Sequence, residues 1–298
     1  MRASVRPRTF SAVASVSLGL LCTIVLTGAL VRLTGSGLGC SDWPNCNAQR
    51  FVDVSSGHAA IEQINRLFTG CVSAAVIAAV LTSYLRSPRR RDLVLLSWGL
   101  VVGVVAQVII GAVVVVTGLN PYANMAHFLV SMFLVACAFM LERSSRIEAV
   151  SAVLRPVPAD VRALHRLLVA SACVAVATGT VVTATGPHAG DEDAVRFGFQ
   201  LVSVARVHSV SVIVTVGLLA ATMLRLRSAR DTAARSLRQA LGTMAFVAVL
   251  QGSIGYLQYF TGVPVLLVGF HIAGATAFWL SVCNVTFAPR PDEVLPAA

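Results

Sequence analysis

The side chains able to do chemistry are few and clustered. His58, Glu62, Asn65 and Arg66 stand within one stretch, His127 and His271 each stand alone in apolar sequence, and Arg206 comes two residues before His208. An ionisable residue in an apolar run is costly, so it needs a partner or a function. Two imidazoles at one depth on neighbouring helices are what a six-coordinate haem iron needs, because its axial ligands approach from opposite faces. His208 and His271 are candidates for such a pair; two polar residues bonding across a helix bundle is the plainer reading. Glu62 follows His58 by one helical turn and precedes Asn65 by three residues. A carboxylate so placed is partly desolvated and suited to proton transfer or to stabilising developing positive charge. A structural pair with Arg66, at i and i+4, is its alternative role.

The elements that carry these residues are read from a repeat. Gln107 to His127 returns 144 residues later as Gln251 to His271. In both copies a Gly follows the Gln by four residues (Gly111, Gly255), then Thr-Gly (Thr117-Gly118, Thr261-Gly262), then the lone His. Each copy reads as a helix, a tight turn and a second helix with its histidine about two turns in.

The chain is 56% apolar and 12% charged over 298 residues, with a mean hydropathy of +0.80. That much apolar surface exceeds what a soluble core hides. Runs long enough to cross the hydrocarbon, about 20 residues, occur near 10–31, 59–85, 93–117, 122–141, 164–185, 203–224, 240–260 and 264–286. The expected fold class is therefore all-α: a polytopic membrane protein whose eight transmembrane helices form two parallel, pseudo-twofold-related four-helix bundles. The expected divisions are an N-terminal half over 1–145, a linker over 146–163 containing Pro156 and Pro158, and a C-terminal half over 164–298.

All 23 basic residues are Arg and the net charge is +10, but they gather at alternate ends of the spans. Arg2, Arg6 and Arg8, then Arg86 and Arg89 to Arg91, Arg143, Arg146, Arg155, Arg162 and Arg166, Arg225 to Arg238, and Arg290 mark the same side. By the positive-inside rule that side, with both termini, is cytoplasmic, which fits a multi-pass protein of the cell membrane in contact with lipid. A nucleic-acid partner is excluded by this placement. The first span has the basic start and apolar run of a signal peptide, but its length, and the echo of Thr27-Gly28 in Thr178-Gly179, mark it as a helix of the mature protein.

The two half-sites differ. The shift that places His127 on His271 places Asn65, within one residue, on His208. The second half thus has two imidazoles, a closed site suited to electron transfer, and the first has one imidazole and an amide, an open site suited to chemistry. His58, two turns before Asn65 on nearly the same face, is a candidate for the vacant ligand position, although it stands near the surface. Arg32, Arg66 and Arg206, at the outer ends of spans, are candidates to pair with haem propionates or to reach the headgroups. Cys40 and Cys46 lie in the longest outer loop, 34–57, on the oxidising side; a disulfide and a metal or thiol redox role are both open to them. The other five cysteines lie inside spans as small packing residues.

Several of these stretches together resemble the haem A synthases, the CtaA/Cox15 family. They are Thr34-Gly35-Ser36-Gly37-Leu38-Gly39-Cys40-Ser41-Asp42-Trp43-Pro44-Asn45-Cys46, Ile61-Glu62-x-x-Asn65-Arg66, Thr117-Gly118-Leu119-Asn120-Pro121, Gly186-Pro187-His188-Ala189-Gly190-Asp191 and Gly269-x-His271-x-Ala273-Gly274-Ala275. The resemblance implies an eight-helix oxidoreductase that converts the C8 methyl group of haem O into the formyl group of haem A for terminal oxidases. It implies a haem b between His208 and His271, a haem O side in the first half with Glu62 as the essential acid and His127 as a ligand, and pairing of Cys40 with Cys46. A haem O synthase, an electron acceptor and a second copy of the chain are its candidate partners. The chain departs from the family pattern at Asn65, where many members have His, and in having no second cysteine pair in the later outer loop. The alternative readings are a dihaem b-type electron-transfer cytochrome, which calls for two matched imidazole pairs, and a transporter, whose polar residues would lie nearer the midplane.

Overall fold

The computed structural model describes residues 4–147, 159–228 and 232–287. Arg2, Arg155, Arg230, Arg290, Pro156 and Pro158, with most of the expected linker, lie outside the described residues. Eight α-helices follow in order: α1 Pro7–Leu33, α2 Gly57–Leu85, α3 Arg91–Val116, α4 Pro121–Arg146, α5 Ala159–Thr185, α6 Leu201–Leu226, α7 Thr232–Phe260 and α8 Val265–Thr286. Each is long and apolar enough to cross a membrane, and among the described residues the one β feature is an isolated bridge between Val5 and Arg86. The chain is therefore an all-helical, multi-pass membrane protein. Leu95, Val102, Ile109, Phe133, Phe246 and Phe260 remain exposed, as apolar side chains do when lipid is the solvent.

The helices run past the expected spans at their Arg-rich ends. α4 continues to Arg146, where Glu142 and Arg146 pair one turn apart, and α7 starts at Thr232 rather than 240. Basic residues cost nothing in a helix that has left the hydrocarbon, and Arg stems cover apolar surface on the way out. At the opposite ends the caps are local. Ser56 accepts a hydrogen bond from the Ala59 amide, and Asn120 accepts from the Tyr122 and Ala123 amides with Pro121 in the first turn; such caps contribute about 1 kcal/mol each.

The two helix hairpins predicted by the repeat close in the same way. α3 ends with Gly118 and Leu119 at φ +62° each, and α7 ends with Gly262 at φ +82° and Val263 at φ +59°. The Leu119 amide donates to the Val114 carbonyl and the Val263 amide to the Gln258 carbonyl, both at 2.8 Å, the five-residue reach that closes a helix C-terminus. A left-handed Val is strained, of order 1–3 kcal/mol. Here the Val263 carbonyl is also held 2.8 Å from His188 Nε2 of the loop after α5.

Each set of four helices packs as a closed ring: α1 against α2, α2 against α3, α3 against α4 and α4 against α1, then α5 through α8 in the same cycle. α1, α4, α5 and α8 also pack across the two rings, where Trp279 Nε1 of α8 donates to the Met132 carbonyl of α4 over 2.7 Å. The diagonal pairs α2 with α4 and α6 with α8 bring no Cα atoms within 8 Å of each other among the described residues. The buried core of the first ring runs through Phe10, Val76, Leu93, Leu100, Val135 and Leu141, and that of the second through Leu168, Leu219, Leu241, Met244, Val282 and Val285. Both cores fill the Arg-rich end. The end nearer the 34–56 and 186–200 loops, the loop end, holds His58, His127, His188, His208 and His271, while His165 is buried near the Arg-rich start of α5.

Candidate functional site

His127, His208 and His271 lie about two turns into α4, α6 and α8, on the loop side of both cores. His208 and His271 come from α6 and α8, the diagonal helices of the second ring.

The His208 ring is fixed by its neighbours. Its Nδ1 lies 3.1 Å from Thr178 Oγ1, whose own hydrogen is turned to the Val174 and Ala175 carbonyls. A hydroxyl so engaged accepts, so Nδ1 carries the proton and Nε2 presents its lone pair, the arrangement a metal-ligating imidazole needs. Thr178 Oγ1 is anchored by the Val174 and Ala175 carbonyls and by Ser211 Oγ at 2.9 Å. The ring rests on Gly179, where an added Cβ would sit 3.2 Å from His208 Cε1.

His271 is seated by the repeat itself. Gln251 Nε2 donates to the His271 carbonyl at 2.8 Å and Gln107 Nε2 to the His127 carbonyl at 3.0 Å, so each α3 or α7 glutamine holds the backbone of the histidine twenty residues on. Each ring faces the glycine of its own repeat: a Cβ at Gly255 would lie 2.9 Å from His271 Cε1, and one at Gly111 3.4 Å from His127 Cε1. His127 Nδ1 and His271 Nδ1 are buried without a hydrogen-bond partner. Orphaned buried nitrogens call for an explanation; together with the His208 Nε2 lone pair and the glycine cradles, they suit a flat group ligated by imidazole. Gly274 makes room for the Gln251 carboxamide, which a Cβ there would strike.

In the first ring Asn65 stands in the place of His208. Thr27 Oγ1 donates to Asn65 Oδ1 over 2.8 Å, as Thr178 meets His208. The sequence shows the echo of Thr27-Gly28 in Thr178-Gly179 but not what the threonines touch, because that contact runs between helices.

Glu62 is 5% exposed, the one buried carboxylate among the described residues. Its Oε2 accepts from the Cys40 amide at 2.8 Å, and its Oε1 accepts from Arg66 Nε at 3.0 Å and Nη2 at 2.5 Å. Arg66 Nη1 continues to the Asp42 and Asn45 carbonyls. The pairing with Arg66 that the sequence offers as an alternative is thus present, and it extends to the loop, which the spacing did not reveal. Cys40 and Cys46 form a disulfide and are buried. The bridged loop rests on α2: Gly39 approaches the His58 carbonyl so closely that a Cβ would collide with it. His58 itself is exposed, with Nδ1 2.9 Å from Ser36 Oγ.

Of the remaining arginines, Arg32 Nη2 donates to the Thr183 carbonyl at 2.5 Å while its buried Nε has no partner. Arg206 is exposed and makes no hydrogen bond or ion pair among the described residues. The loops of the two rings meet where the Gly37 amide donates to the Gly190 carbonyl at 2.8 Å.

Fold and site together define a polytopic helical membrane protein with two ring-packed bundles and imidazoles at one level of both. The family model for COX15-CtaA, described as cytochrome oxidase assembly protein, matches residues 11–57 and 50–283; the chain belongs to this family. Among curated proteins, it is 33% identical over 119 residues to the "Heme A synthase" of Lysinibacillus sphaericus, covering 40% of this chain and 39% of that one. It is 35% identical over 129 residues to that of Listeria welshimeri, covering 42% of each. To that of Geobacillus kaustophilus it is 34% identical over 117 residues, covering 39% and 35%. The chain thus spans about two fifths of the length of the curated relatives it matches.

Proposed function

We propose that the chain is a haem A synthase, which oxidises the C8 methyl group of haem O to a formyl group in two successive oxidations. The observation that carries this reading is the unequal finish of two similar rings: an imidazole pair, one member fixed by Thr178, and a single imidazole opposite an amide held by Thr27. Membership of the family and relatives named for this activity support it. A dihaem electron-transfer cytochrome would need a second imidazole where Asn65 stands.

In this reading the C-terminal half holds haem b through His208 Nε2 and His271, and the N-terminal half takes haem O on His127. When bound, haem b supplies one-electron transfer from the substrate side toward an electron acceptor in the membrane. Thr178 keeps the proton on His208 Nδ1, and Gln251 and Gly255 seat the His271 ring. Glu62 takes or gives a proton at Oε1, the oxygen that Arg66 holds in the resting chain, while its Oε2 stays on the Cys40 amide. Arg32 and Arg206, at the outer ends of α1 and α6, are the propionate candidates of this reading. The bridged 34–56 loop covers the first ring and limits entry of water. The Arg-rich end, with both termini, faces the cytoplasm, and the membrane is the cell membrane.

The test is expression in a host lacking its own haem A synthase, followed by extraction and chromatography of the haems. The reading predicts that haem A appears with the chain, and that with Glu62→Ala haem A falls while haem O persists. A haem profile unaltered by the chain would overturn it.

A further inference from the structure

In the second ring, Thr178 contacts His208 at Nδ1 and Gly179 leaves space for the ring, with an added Cβ 3.2 Å from it. In the first ring Thr27 contacts Asn65, and Gly28 follows Thr27 as Gly179 follows Thr178. A Cβ at Gly28 would meet nothing within 4 Å. The first ring therefore keeps both parts of the cradle, hydroxyl and glycine, around a side chain too short to fill it.

The orientation of that side chain decides what it can do. Thr27 Oγ1 donates to Asn65 Oδ1, so the carbonyl end of the amide is turned to α1 and the Nδ2 end away from it. A carboxamide nitrogen has two donor hydrogens and no lone pair to offer iron. Its oxygen, the only atom that could bind a metal, is already engaged by Thr27. His127 stands on α4, the helix diagonal to α2, as His271 stands diagonal to His208. Asn65 thus occupies the position from which a second axial ligand would come, with a donor group in place of a ligand.

We propose that the first ring binds a haem iron through His127 alone, and that Asn65, positioned by Thr27, is a specificity-determining hydrogen-bond donor that keeps the sixth coordination position open to a small ligand. This rests on the reading that the first ring takes a haem. It accounts for the departure at position 65: an imidazole there would close the site as the second ring is closed, and an amide leaves it reactive.

The test uses the full chain purified with its haems, with haem B added as the probe where the first ring is purified empty. The reduced protein is titrated with carbon monoxide, which binds a five-coordinate iron and not one gripped by two imidazoles. Wild type is expected to bind carbon monoxide at one haem per chain. Asn65→His is expected to weaken that binding at least about tenfold and to add a second low-spin haem signal, while the first low-spin signal is retained as the measure of correct folding. Asn65→Ala is expected to keep the first-ring haem and its carbon monoxide binding, with faster release. Failure of the wild type to bind carbon monoxide, no haem at all in the first ring, loss of that haem in Asn65→Ala, or an unchanged spectrum in Asn65→His would each overturn the proposal. Haem extraction from the producing host reports separately on the activity. No haem A together with carbon monoxide binding as expected would sink the activity and leave the ligation standing; haem A with a closed first ring would do the reverse.

Discussion

Thr178 Oγ1 lies 3.1 Å from His208 Nδ1, and this one contact settles which ring nitrogen the second bundle offers to a ligand. The hydroxyl is itself fixed by the carbonyls of the preceding turn, so the imidazole has a single tautomer and a single orientation. Removing the hydroxyl while keeping the shape takes away this partner of His208 Nδ1. Thr178→Val should therefore weaken haem retention by about tenfold or more, the usual cost of losing an outer-shell partner. The measurement is haem per chain after detergent washing, with unchanged retention the result that denies Thr178 this role.

The glycines under the two histidines should not be equally replaceable. Gly255→Ala would put a Cβ 2.9 Å from His271 Cε1, closer than side chains tolerate, and Gly111→Ala would put one 3.4 Å from His127 Cε1, an ordinary contact. We expect Gly255→Ala to shift or broaden the low-spin spectrum of the haem held by His208 and His271, and Gly111→Ala to leave the spectrum of the haem held by His127 unchanged. Equal effects would mean that the His271 ring has room to move.

The disulfide loop and Glu62 should loosen together. Glu62 Oε2 holds the Cys40 amide, and Arg66 ties Glu62 to the Asp42 and Asn45 carbonyls. Glu62→Ala leaves a buried amide and a guanidinium without their acceptor, a change that costs about 3 kcal/mol where a buried pair is broken; the partial exposure of Arg66 lowers this. Amide exchange over residues 37–47 should quicken in Glu62→Ala and in Cys40→Ser, and much less in Glu62→Gln, which keeps an acceptor oxygen for the Cys40 amide. Exchange unaltered in Glu62→Ala would show that the loop stands without the carboxylate.

The same loop carries a pH dependence of known sign. Asp53 is held below the usual carboxylate range by the Ser55 hydroxyl and amide, with Asn47 and Arg50 adding to it. A depressed acid contributes stability above its unfolded pKa and loses it as pH falls through its folded one. The ordering of residues 47–55 should be fully stabilised above the ordinary carboxylate range, weaken as pH falls through that range, and lose the contribution altogether below the depressed pKa of Asp53; Asp53→Asn should remove that acid-side decline. Amide exchange of Ser55 against pH, corrected for the intrinsic exchange rate, is the measurement, and protection with the same acid-side decline in Asp53→Asn would contradict the assignment.

Much of this architecture is legible in the chain because lipid enforces it. Long apolar runs become helices wherever backbone groups have no water to bond, and the Gln to His repeat fixes two hairpins with matching turns at Leu119 and Val263. The pairing of Asn65 with the His208 position is legible too, by the shift between the copies. What the sequence conceals are contacts between helices and loops far apart in the chain. Thr27 with Asn65 and Thr178 with His208 follow a spacing different from that of the Gln to His repeat, so no single shift displays them. Glu62 reads from its helix as a carboxylate facing a cavity with Arg66 one turn away. Only the folded loop shows that both its oxygens are engaged.

The most direct measurement is the absorption and electron paramagnetic resonance spectrum of the purified chain beside those of His208→Ala and His271→Ala. The account predicts a low-spin b-type haem in the wild type that is absent from both variants, with each variant still present in the membrane at wild-type abundance. A low-spin signal that survives loss of either imidazole would contradict it.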